Sequence, residues 1–263
     1  MAAREQYFWN TYWQGPCSTV SARTMTQILD RIKFDYLRAI LPMRGTTLEV
    51  GCGSGRLSCW LALAGYQTAC LDFSPNALHS ARVNYASANT HGAFLAGNAM
   101  ELPMRDNSLD IVLSTGLLEH FADPFPIVRE MVRVLKPGGL FYSDIVPKKF
   151  SLFRSLDWAA DVRHLLHPAQ GRPETFYERS FTGDEIRTLL HMSGLSPVTV
   201  FPAGVVPPYV PLLYRSRMLR EAQVRLVDCT KRFWRMLDRT CIAEWLGFYY
   251  FAWGTKPIGK GRS

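Results

Sequence analysis

The chain has 263 residues, 48% of them hydrophobic and 20% charged, with a formal net charge of +8. That suits one generous domain, or a domain with an elaboration, around a sizeable core, and it excludes a disordered or fibrous chain. No apolar run approaches the roughly 18 residues of a spanning helix; the six cysteines (17, 52, 59, 70, 229, 241) show no CxxC pair or metal-ligand spacing, and MAAREQYFWN has no apolar signal region, so a cytoplasmic protein with reduced thiols is expected.

Tyr7, Phe8, Trp9, Tyr12 and Trp13 crowd the first thirteen residues. An exposed tail would not hold five aromatics, so residues 1–44 are expected to pack down as a cap. The rings would either close over a ligand or plug the helical layer, and aromatic content does not separate the two. From residue 46 short apolar runs alternate with helical stretches, the pattern of a parallel sheet flanked by helices. TTLEV (46–50), QTACL (67–71), GAFLA (92–96), LDIVL (109–113) and GLFYSDIV (139–146) read as strands. Helices are expected from Gly55 to Ala64, from Pro75 to Asn89 and over 124–136, where KPGG stops the last.

After Val146 the rhythm breaks. Residues 147–180 are rich in aromatics, prolines and histidines and are expected to form a substrate lid. Thr182 and Glu185 form a capping box opening a helix to Met192–Gly194; SPVTVF (196–201) reads as a strand and FYYFAWGTKP (248–257) as a closing edge strand. Between them, within 203–246, lies a basic amphipathic insertion. Residues 212–239 hold eight basic side chains against three acidic ones, so most of the excess charge sits in this one late segment. Leu212, Leu219, Leu226 and Phe233 recur every seven residues, with Ala222, Cys229 and Met236 three further on. The leading reading is a cover that packs this stripe on the domain; a membrane-surface helix and a dimerisation or anion-binding face are the others.

The informative sequence is LEVGCGSG, residues 48–55. A strand ends at Val50, and Gly51, Gly53 and Gly55 follow before a helix. Glycines are needed where backbone turns sharply or a ligand presses on it. A dinucleotide fingerprint needs a small third residue at position 56, which is Arg56 here. The spacing is G-x-G-x-G preceded by Glu49, which argues against a pyrophosphate; the rival is a site for S-adenosylmethionine. Asp72 closes the second strand, 21 residues after Gly51, where a carboxylate can accept both ribose hydroxyls. Phe73 offers a face for a purine, and Asn98 and Ala99 suit the adenine edge. Cys52 in the turn and Thr115 at the end of the fourth strand complete the candidate cofactor set.

With LEVGCGSGRLS, LDFSPNAL, GNAMELPMRDNSLDIVLSTGLLEHF and VRVLKPGGLF in place, the chain resembles the class I S-adenosylmethionine-dependent methyltransferases, in particular the small-molecule branch that includes the quinone-biosynthesis enzymes. The resemblance covers residues 45–146 well and the later segments loosely. It implies a Rossmann-like α/β fold: a seven-stranded, mostly parallel sheet with an antiparallel last strand and helices on both faces, in one methyltransferase domain over 1–263. It also implies that Glu49, Gly51, Gly53 and Gly55 line the methionine portion and that Asp72 holds the ribose. One departure is Asn98, where the family usually has Asp; an amide oxygen can still accept from the adenine amino group.

Methyl transfer from a sulfonium is an in-line displacement, so the protein's task is positioning, with a base only where the acceptor must lose a proton. His120, in LLEHF after the fourth strand, is the candidate base, against a structural histidine; Glu119 reads as positional. Tyr12, Trp158 and Tyr177 are candidate acceptor contacts and suggest a hydrophobic or aromatic small molecule. His164, His167 and His191 lack ligand spacing, so no metal is expected. A nucleic-acid methyltransferase lacks support, since Ser114-Thr115-Gly116-Leu117 is not an N-P-P-Y motif and no Pro-Cys pair follows that strand. A cofactor-binding scaffold without methyl transfer is the third reading.

Overall fold

The computed structural model describes residues 3–14, 24–146, 150–153, 155, 177–208, 210 and 216–259. Two helices come first, α1 (Ala3–Tyr12) and α2 (Met25–Arg38), the second opened by a capping box of Thr24 and Gln27. The alternating part follows as β1 (Thr46–Val50), α3 (Arg56–Leu63), β2 (Gln67–Asp72), α4 (Pro75–Ser87), β3 (Ala93–Ala96) and β4 (Leu109–Thr115). A 3₁₀ turn at Leu118–His120 leads to α5 (Phe125–Val134) and β5 (Leu135–Ile145). The later part is α6 (Gly183–Met192), β6 (Val198–Ala203), α7 (Arg217–Arg235), α8 (Cys241–Leu246) and β7 (Tyr249–Thr255).

The seven strands lie in the order β3-β2-β1-β4-β5-β7-β6. The first five are parallel, and β7 runs antiparallel to both β5 and β6. Alternate side chains of each strand go to opposite faces. Val112 packs with Ile127, Val128 and Met131 of α5 and Ile186 of α6, while Ile111 and Leu113 pack with Ile28, Ile32, Leu57 and Leu61 on the other face. Strand order reverses at β1, whose neighbours are β2 and β4, so a crevice opens beyond the carboxyl ends of these strands.

Two expectations are corrected. The last strand is not the edge: β7 is inserted between β5 and β6, and β6 closes the sheet. The reason is in the residues, since Tyr249, Tyr250, Phe251 and Ala252 are all buried and serve both faces, whereas Val198, Thr199 and Val200 of β6 are partly open. The second concerns α7. Its seven-residue stripe does not pack on the domain; Gln223, Val224 and Val227 do, leaving Leu219, Leu226 and Phe233 exposed. Polar tethers set this roll of the helix. Arg235 pairs with Asp35 of α2 at 2.7 Å, and Asp238 just beyond accepts from the Tyr36 hydroxyl at 2.6 Å and the Gly204 amide at 2.8 Å.

Candidate active site

The glycine turn is held from below and beside. Gly51 and Cys52 both donate their amides to the Leu71 carbonyl, at 2.8 and 3.0 Å, which ties the turn to β2. Glu49, buried in β1, accepts from the Ser58 amide at 3.1 Å and the Thr115 hydroxyl at 3.3 Å. It thereby caps α3, whose N-cap Gly55 has no side chain for the purpose. Burial raises the Glu49 pKa to about 7, against the pull of Ser58. Asp72 accepts from the Gly53 amide and from the Ser74 amide, each at 2.9 Å. Burial raises its pKa also, opposed by these amides. Its carboxylate is thus held by the turn and at the same time lines the cavity.

Gly51 and Gly53 both have positive φ, and each faces a side chain that leaves no room for a Cβ. One on Gly51 would lie 2.6 Å from Leu117 Cδ1, and one on Gly53 2.5 Å from the Trp13 ring. The turn is thus packed tightly under Leu117 and Trp13, with no room for a side chain of its own. Gly55 serves packing instead: it is absent from the cavity wall, and a Cβ there would lie 2.9 Å from Ala81 Cβ of α4.

A cavity of about 370 Å³ extends from this turn. It brings together Glu49, Gly51, Cys52, Gly53, Asp72, Phe73, Asn98, Ala99, Thr115 and His120, from the ends of four strands and their loops. Asn98 turns its side-chain oxygen back to the Met100 amide at 3.0 Å, bending the chain after β3. Tyr12 and Tyr177 are not in the wall; they are 57% and 54% exposed. Tyr12 instead stands edge-on to Trp9 and Trp13, which do line the cavity. Trp158 lies outside the described residues.

Helix α1 thus lies over the crevice, and Asn10 fastens it: its side-chain oxygen accepts from Ser74 at 2.7 Å and its carbonyl from Asn76 at 2.9 Å. The far half of the cavity is lined by residues that the sequence reading passed over. Leu29, Val146, Phe153, Phe248 and Tyr249 make it apolar, and Lys33 with Asp30 brings charge. Lys33 lies 2.8 Å from Asp144 Oδ1, 4.0 Å from Asp30, and 4.7 Å over the Tyr249 ring. Burial opposes its charge, but Asp144, Tyr249 and Asp30 together outweigh this and keep Lys33 protonated beyond the ordinary lysine range. A signal was present: Asp144 interrupts an apolar strand, and a buried carboxylate needs a counter-ion.

His120 is part of the same wall. Its Nδ1 lies 3.1 Å from the Tyr177 carbonyl, and Trp9 meets its ring edge-on at 4.9 Å. Burial lowers its pKa, so the imidazole is neutral at pH 7. Glu119 is buried behind it and outside the wall, accepting from the Val146 amide at 3.1 Å. Burial pushes its pKa up to about 8.

A methyltransferase domain family model matches residues 48–143. A ubiquinone biosynthesis O-methyltransferase of Xanthomonas campestris pv. campestris (strain B100) is 31% identical over 228 residues, which cover 84% of this chain and 88% of that protein. A protein of the same description from Xanthomonas oryzae pv. oryzae (strain PXO99A) is 33% identical over 150 residues, covering 54% of this chain and 60% of its own length. Among solved structures, that of the [4+2]-cyclase SpnF superposes with a TM-score of 0.60, over 97% of this chain and 95% of the other, at 20% identity. At that identity the likeness is one of fold. With the glycine turn, the Asp72 carboxylate and the reversed strand order at one crevice, the chain belongs to the class I S-adenosylmethionine-dependent methyltransferases.

Proposed function

We propose that the protein transfers the methyl group of S-adenosylmethionine to an oxygen of a small, hydrophobic, aromatic acceptor. The observation that carries this reading is one cavity that holds the glycine turn with Asp72 and also a ring-lined part with His120, Lys33 and Asp30. The described residues fit the cofactor, since Gly51, Cys52 and Gly53 line the cavity together with the Asp72 carboxylate and the Phe73 ring. Glu49, Gly51, Cys52 and Gly53 would hold the methionine portion, Asp72 the ribose, and Phe73, Asn98 and Ala99 the adenine. S-adenosylmethionine, when bound, supplies an electrophilic methyl on a positively charged sulfur.

The chain's own residues do the rest. Trp9 on α1 and Trp13 just after it exclude water from above. Phe153, Phe248 and Tyr249 hold a flat acceptor, and the oxygen relatives' names point to is one that loses a proton on methylation. Lys33, fixed in its charge by Asp144, favours the ionised form of a phenol placed beside it. His120, neutral at pH 7, accepts the proton.

Calorimetry with S-adenosylmethionine, S-adenosylhomocysteine and NAD comes first. Binding of the first two and not of NAD is expected; the reverse pattern overturns the cofactor assignment. Turnover is then read as S-adenosylhomocysteine released with an alkylated catechol and with the matching aniline. Release with the aniline alone would overturn transfer to oxygen.

A further inference from the structure

The outward face of α7 is apolar along its whole length. Met218, Ala222, Leu226, Cys229, Phe233 and Met236 follow one another at three- or four-residue steps and so form one stripe. Their large members are open to solvent: Met218 by 73%, Leu226 by 60%, Phe233 by 59% and Met236 by 77%. The opposite side, through Val224 and Val227, is already used for packing on α2 and the sheet. A continuous exposed patch of this kind marks a surface that meets something else.

Charge says what. The helix carries six basic side chains against Glu221 and Asp228, a net +4. Arg217 is paired with Glu221 and Lys231 with Asp228 along the helix, and Arg235 turns inward to Asp35. Arg225 and Arg232, seven residues apart and both exposed, border the stripe on its open side. A second copy of this helix would bring two surfaces of net +4 together, which opposes self-association. Anionic lipid headgroups would meet the arginines while the stripe sinks into the acyl boundary. Trp245 of α8, 77% exposed, adds a ring of the type that settles at such boundaries. Among the described residues no helix is long and apolar enough to cross a membrane, so the contact is with the surface.

We propose that the outward face of α7 docks the protein on an anionic lipid surface. The placement relative to the cavity gives the contact a use. Helix α7 packs on α2, which supplies Leu29, Asp30 and Lys33 to the cavity wall, and α8 runs on into Phe248 and Tyr249 of the same wall. A lipophilic molecule leaving the surface would have one helix layer to pass.

The test is co-sedimentation of the full chain with vesicles of phosphatidylcholine alone and with roughly a third phosphatidylglycerol. Wild type should bind the anionic vesicles at least about tenfold more tightly than the neutral ones, and less so as salt rises. The double variants Leu226→Glu/Phe233→Glu and Arg225→Glu/Arg232→Glu should each lose that preference while keeping the thermal midpoint and S-adenosylhomocysteine affinity of wild type. Equal binding to both vesicles, binding to neither, or undiminished binding of the Leu226/Phe233 variant overturns the proposal. So does a wild-type dimer in sedimentation equilibrium that this variant dissolves, since a second copy would then cover the stripe. Cofactor affinity is read separately, so failure here leaves the methyltransferase reading standing.

Discussion

Asp72 has two duties that a substitution would separate. Its oxygens hold the Gly53 and Ser74 amides, and by the proposal they also hold the ribose. Hydrogen bonds to a charged group contribute about 1.5–3 kcal/mol each, so Asp72→Ala should weaken S-adenosylmethionine binding by roughly tenfold to a hundredfold or more. Calorimetry reads this directly, and unchanged affinity would remove the ribose role. His120→Asn should lower kcat with cofactor affinity retained, and wild-type kcat should rise with pH as the imidazole becomes neutral below its ordinary 6.5. A pH profile unaltered in the variant would return His120 to a purely structural place beside Tyr177. Glu119 offers a stability test. Its folded-state pKa of about 8 lies above the ordinary 4.5, so the folded chain holds a proton that the unfolded chain releases between these values. Folding is therefore weakened by this group as pH rises from about 4.5, and the loss levels off above about 8. Glu119→Gln keeps the acceptor for Val146 and removes the ionisation. Relative to wild type it should gain up to roughly 1.4 kcal/mol per pH unit across that window, measured by urea unfolding. The turn, Asp72 and His120 were legible because backbone chemistry leaves short, ordered traces in sequence. Lys33 was not, because its meaning depends on Asp144, 111 positions away, and only folding makes them neighbours.

At the scale of elements, strand and helix periods were readable wherever one face is buried and the other is not. Strand β1 runs over Thr46–Val50 as its residues imply, and the Thr182–Glu185 box opens α6 as expected. Neighbours in the sheet were less readable. A run such as Tyr249–Ala252 declares that both its faces are covered, yet the residues do not name the strands beside it. The roll of α7 failed for a related reason: a seven-residue stripe shows that a helix is two-sided, and distant tethers at Asp35, Tyr36 and Gly204 decide which side faces in. Helix α1 carries the prediction at this scale. It is fastened to α4 through Asn10 and lies on the turn through Trp13. Trp13→Ala should leave thermal stability within about 1 kcal/mol, since half-open surface positions contribute little. It should speed the release of S-adenosylhomocysteine severalfold in stopped-flow displacement, and an unchanged off-rate would make α1 a plug without a gating role.

For the molecule as a whole, ligand linkage gives a test that needs no acceptor. A ligand at about a hundred times its dissociation constant stabilises the folded state by about 2.7 kcal/mol. For a chain of this size that should raise the melting temperature by roughly 5–10 °C with S-adenosylhomocysteine and leave it unchanged with NAD. The order β5-β7-β6 also has a consequence for how the protein is made. Among the described residues, strand β6 pairs with no strand but β7, which emerges from the ribosome some 45 residues later, with Phe248 and Tyr249 of the cavity wall at its threshold. At about 5–20 residues per second, β6 and the open side of β5 wait seconds for their common partner. The parallel half with its glycine turn can assemble during synthesis, whereas the aromatic half of the cavity is completed only as the last strand slides in, so a ribosome stalled before residue 249 would hold a nascent chain with half a binding site and two bare strand edges.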